Sequence, residues 1–108
     1  MKIKDLYFVD WTLTPRSDRG GQTIVKVISA RCGVIEIATI FQQDYHDAGK
    51  TIIRWYIRPT GILESAYDHN KKESIRFFDN REFKTEEEAK TAVEVAFVRF
   101  INLFVESV

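Results

Sequence analysis

The stretch that decides the fold is TEEEAKTAVEVAFVRFINLFVESV, running from Thr85 to Val108. Thr85 followed three residues later by Glu88 is a capping box. Hydroxyl and carboxylate can each satisfy a backbone N–H left without a partner where a helix starts. Glu86 and Glu87 suit the positive end of the helix dipole. Beyond them Ala89, Ala92, Val93, Ala96, Phe97, Phe100 and Phe104 recur at three- and four-residue spacing, which draws one apolar stripe along a single helix. A stripe of that kind needs a sheet to lie on.

Working back from the helix, the preceding residues supply one. TIIRWYIRP, from Thr51 to Pro59, alternates: Ile53, Trp55 and Ile57 on one side, Arg54, Tyr56 and Arg58 on the other, with Pro59 ending the strand. The polar segment Asp44–Lys50 reads as the loop before it, and Val34–Gln43 as the strand before that. Placing Phe41 opposite Ile53 in this hairpin sets Glu36 across from Arg58, an opposite-charge pair. Cys32-Gly33 makes a tight turn from a strand over Gln22–Arg31, in which both faces are apolar. The turn-forming PRSDRGG leads back to a first strand, Ile3–Thr14. There the odd positions Tyr7, Val9 and Trp11 form the apolar side, which leaves Leu6 and Phe8 on the face away from the helix. After Gly61 the chain is harder to read. ILESAYD suits a helical turn or a strand, and Glu73–Phe78 a short strand. The expected architecture is therefore one α+β domain over residues 1–108: an antiparallel β-meander of four long strands, with one or two short ones, packed against one long C-terminal helix.

Composition narrows the function classes. At 108 residues and 44% hydrophobic content the chain can bury one core unaided. Its 16 basic and 16 acidic residues cancel, which argues against a dedicated duplex-DNA binder. One cysteine, Cys32, precludes an internal disulfide and points to a reducing compartment. With no signal-peptide pattern in MKIKDLYFVDW and no membrane-length apolar run, the expected location is cytoplasmic.

No catalytic set, cofactor motif or metal site stands out. Asp44, His46 and Asp47 share a polar segment, His69 lies in another, and Cys32 has no histidine near it in sequence. Solvated or inert side chains account for all of them. The expectation is a protein that is not an enzyme and takes no cofactor or metal.

Two surfaces remain. The back half of the helix carries a second apolar row, Val98, Ile101, Val105 and Val108. With Leu6, Phe8, Val25, Val27 and Ile40 it exceeds what one sheet and one helix can cover, which at about 25 cal/mol per Å² favours association. The expected function is a small non-catalytic protein-interaction module, a homodimer that occupies a surface of a partner protein, with Val98, Ile101, Val105, Leu6 and Phe8 as the dimer or docking surface. The second surface is the basic and aromatic strand face of Arg54, Tyr56 and Arg58, with Lys26 near it and Arg16 and Arg19 in the first hairpin loop. It suits an acidic protein partner or, in the alternative reading, single-stranded nucleic acid stacked on Tyr56.

Overall fold

The computed structural model describes residues 5–11, 16–18, 22–64, 66–69 and 71–106. Its main sheet is antiparallel, with strand order β1 (Leu6–Trp11), β3 (Gln22–Cys32), β4 (Ile35–Asp47), β5 (Lys50–Pro59) and β8 (Glu82–Phe83); β2 (Arg16–Asp18) pairs with β3 beside β1. Between β5 and β8 the chain forms a helical turn, α1 (Gly61–Glu64), and a separate two-stranded sheet of β6 (Ala66–Asp68) and β7 (Glu73–Ile75). Helix α2 (Glu86–Glu106) closes the order and lies across β4, β5 and β8. The α+β architecture read from the sequence is the one found.

The capping box forms: the Glu88 N–H donates to Thr85 Oγ1 at 3.1 Å, and the Glu88 carboxylate accepts from the Lys84 N–H at 3.3 Å, one residue further upstream than the usual box. From this start Ala89, Val93, Ala96 and Phe97 are buried as the spacing requires, while Ala92 and Phe100 pack at the margin of the core. The small residues near the helix start let it lie close to β5 and β8. The space farther along is filled by Leu63 and by Phe77, which meets Phe100 edge to face at 5.8 Å. Arg99 holds that segment in place, donating to the Phe77 carbonyl at 3.3 Å and pairing with Asp79 at 3.2 Å.

Register assigns the rest. Phe8, Ala30 and Ala38 lie in one row and Asp10, Ile28, Ile40 and Ile57 in the next, all on the face beneath α2. This corrects three sequence expectations. Leu6 and Phe8 face the helix and pack against the core, and so does Ile40, which is fully buried. In the β4–β5 hairpin Phe41 pairs with Tyr56, not Ile53, and Arg58 sits opposite Thr39, not Glu36. The strands run on through Asp44–Asp47, and the turn is only Ala48-Gly49, both with positive φ, 49° and 78°. That is the two-residue geometry a twisted hairpin favours, and Ala48 bears its strain. Replacing Ala48 with Asn, which tolerates this backbone better, should raise stability by about 0.5–1 kcal/mol, measured as a shift in the urea midpoint.

Two irregularities explain why simple alternation misleads. The β3–β4 register shifts between Ile24 and Lys26 and again between Ala30 and Arg31. Each shift is a bulge, at Val25 on β3 and at Ile37 on β4, and each reverses which parity points inward. The Ile37 carbonyl accepts from both the N–H and the hydroxyl of Thr60, at 3.1 and 2.9 Å, which fixes the chain as it leaves β5 for α1.

Candidate interaction surface

The sheet has two faces, and both helices lie on one of them. Among the described residues no element packs on the other. By register the uncovered face holds a row that crosses the sheet through Val27, Phe41 and Tyr56, with Trp11 the backbone partner of Val27 at the β1 end and Glu82 the partner of Tyr56 at the β8 end. Val27, Phe41 and Tyr56 are half-buried. Phe41 stacks on Tyr56 at 5.6 Å, and Tyr45 meets the same ring edge-on at 6.5 Å. The Tyr45 and Tyr56 hydroxyls share a hydrogen bond. Burial, and then that bond, raise the Tyr56 pKa above its ordinary value, so this phenol is neutral at physiological pH.

Polar groups flank the apolar row on both sides and are largely engaged with one another. Toward the Gly33 end, the Glu36 carboxylate accepts from Ser29 Oγ at 2.6 Å and Thr39 Oγ1 at 3.3 Å and faces Arg31 at 3.8 Å. Arg31 Nε also donates to Ser29 Oγ at 3.1 Å, which is how a serine only 1% exposed is satisfied. Toward the Gly49 end, Arg54 Nε lies 3.3 Å from Glu82 Oε1. Arg58 is exposed and has no ion pair among the described residues.

The residues expected at the basic face are thus only partly brought together. Arg54, Tyr56 and Arg58 share the uncovered face. The backbone of Arg16 pairs with Ile24, in the row of Gln43 and Arg54, and its side chain lies outside the described residues, as does all of Arg19. Lys26 does not join them. The bulge at Val25 turns it to the helix side, where Nζ lies 2.7 Å from Glu86 Oε1, 3.5 Å from Asp10 Oδ2 and 6.0 Å from the Trp55 ring centroid. Lys90 completes this cluster, 2.9 Å from Glu86 and 5.3 Å over the Phe8 ring.

This cluster ties β3 to the start of α2 and sets a pH dependence. Hydrogen bonds from Lys26 and then Lys90 hold the Glu86 carboxyl below its ordinary 4.5, and the bond to Glu86 raises Lys26 above its ordinary 10.5. A lowered acid stabilises the fold above its unfolded pKa, and that contribution is lost as pH falls through the folded value. A raised lysine contributes below its unfolded pKa, lost as pH rises through the folded one. The stabilisation is therefore fully present between about pH 4.5 and 10.5. With these side chains partly in solvent it should stay under about 1 kcal/mol. Glu86→Gln should lower the thermal midpoint modestly at neutral pH, and its difference from the parent should vanish in strong acid.

The helix surface expected to serve as a dimer face is also only partly free. Ile101 packs against the core with Leu6 and Phe8, Val98 is half-buried, and the Val105 side chain lies outside the described residues. The aromatic row of the open sheet face escaped the sequence reading because it joins residues from separate strands. Only the true hairpin register brings Phe41 beside Tyr56. Asp44 and His46 point to one face of β4 and Tyr45 and Asp47 to the other, so the polar segment is no cluster. Among the described residues no three His, Cys, Asp or Glu side chains are grouped to hold a metal, and no helix is long and apolar enough to cross a membrane. Compared with known proteins, the chain matches no family model, no curated protein and no solved structure.

Proposed function

We propose that the chain is a non-catalytic protein-interaction module that forms a homodimer through the uncovered face of its sheet. The observation that supports this is the apolar row of Val27, Phe41 and Tyr56 with a polar rim already hydrogen-bonded on either side. That is the anatomy of a protein interface: an apolar centre and a satisfied polar border. A five-stranded face with strands about 4.8 Å apart is roughly 20 Å wide, and β4 is about 40 Å long. A patch of that size can hold the roughly 800 Å² per partner that a stable complex buries.

Charge favours a protein over a phosphate backbone. Arg31 and Arg54 are each matched by a carboxylate, Glu36 and Glu82, which a nucleic acid would have to displace. A second copy brings both signs and can be set against this face without stacking like charges. Two such sheets would pack face to face about 10 Å apart. Sedimentation equilibrium should find a dimer at micromolar concentration, and a monomer persisting to millimolar concentration would overturn the reading.

One observation favours single-stranded nucleic acid as a second reading: Arg58 is exposed beside the aromatic row, with no carboxylate paired to it among the described residues. It requires salt-sensitive oligonucleotide binding that Arg58→Ala weakens.

A further inference from the structure

The free edge of β5 carries a second site. The Ile57 N–H donates to the Arg81 carbonyl at 3.0 Å, away from β4. Backbone groups of successive strand residues point to opposite sides, so Thr51, Ile53 and Trp55 present theirs to the same outer edge. The short strand β8 occupies this edge only at Trp55 and Tyr56. Among the described residues no strand reaches Thr51 or Ile53. An open edge of this kind is a template for another strand.

Arg54 guards it. Its Nη1 donates to the Ile53 carbonyl at 2.9 Å while its Nε faces Glu82. Ile52 and Ile53, 38% and 46% exposed, stand on the two faces of the edge. Alongside, a concavity of about 430 Å³ opens, lined by Arg54, Asn80, Glu82, Phe83, Lys84 and Glu88.

We propose that the Thr51–Ile53 edge accepts an extended segment of a partner protein as an added antiparallel strand, with acidic residues two positions either side of a central aliphatic one. Lys50, Ile52 and Arg54 share one face of β5, so incoming residues opposite them suit it best as acidic, aliphatic and acidic, the acid opposite Arg54 sharing the guanidinium with Glu82. The acid opposite Arg54 draws the guanidinium off the Ile53 carbonyl, which then accepts an N–H from the added strand. A second copy is disfavoured. The register in which two chains satisfy both Thr51 and Ile53 sets Lys50 opposite Arg54 twice. This site is distinct from the sheet face and stands or falls separately.

The test is fluorescence anisotropy with a peptide that begins at Glu-Thr-Val-Thr-Glu and carries its label beyond the second Glu, so that it stops short of β8. Saturable binding is expected, weakened about three- to fivefold by Lys50→Glu and absent for the peptide with Lys in place of Glu. N-methylation of the two Thr residues flanking the Val should abolish binding, since their amides face the β5 edge. Ile53→Pro should also abolish it while the circular dichroism is unchanged, because the lost N–H faces outward and not into the β4 ladder. Phe41→Glu should leave peptide binding intact. No binding at millimolar peptide, equal binding of the methylated or lysine peptide, or loss of self-association in Ile53→Pro would overturn the proposal. If Ile53→Pro unfolds, the methylated peptide on the parent protein decides the matter.

Discussion

Phe77→Ala should destabilise the protein by about 3–5 kcal/mol, the largest loss expected of any single side-chain truncation here. Phe77 is 2% exposed and helps fill the core beside α2, with its ring against Phe100. Truncation removes the apolar burial, breaks the aromatic pair and leaves a cavity. Collapse cannot readily close that cavity, because Arg99 pins the backbone of the same segment. Since small domains hold only about 5–15 kcal/mol in all, a change of this size should be plain in a urea titration as a lower midpoint with an unchanged slope. A loss under 1 kcal/mol would mean that the 77–79 segment is not part of the cooperative core.

Phe41→Glu should dissociate the proposed homodimer, weakening it by about 2–4 kcal/mol, or more than tenfold in the dissociation constant. The residue lies at the centre of the open face, and under two-fold symmetry each substitution enters the interface twice. The carboxylate would be forced into an apolar row beside Tyr56, and burying it against a second copy would cost its desolvation. Because Phe41 points away from α2, the monomer should keep its thermal midpoint within a few degrees, and the readout is sedimentation mass at matched concentration. An unchanged association constant would show that self-association, where it occurs, uses another surface.

How far the residues foretold this arrangement varies along the chain. The α2 stripe and the two faces of β5 were legible because each is a long run of one period, with no irregularity to shift its phase. The first strand was not. Leu6, Phe8, Tyr7 and Val9 make both parities apolar, and only the neighbour across the sheet decides which pair goes inward. Lys26 was misplaced for a related reason: the bulge at Val25 reverses parity, and nothing in QTIVKVISA marks it. The β4–β5 register was missed by three residues because DYHDAGK has the composition of a loop, yet its polar side chains stand on the exposed end of a hairpin whose turn is only Ala48-Gly49. The site suffered most from these shifts, since a face built of one residue from each strand is visible only when every register is right. The open edge at Thr51–Ile53 was beyond sequence reasoning altogether, because it follows from how short β8 is.

The position of α2 in the order of elements bears on how the molecule is made. The hydrophobic side of the meander is complete once Pro59 has been translated, but the rod that shields it is about 25 codons further on, and Phe8 must wait for Lys90. While a ribosome works through that interval, the nascent sheet has a greasy flank and no cover, the condition under which chaperones engage and aggregates seed.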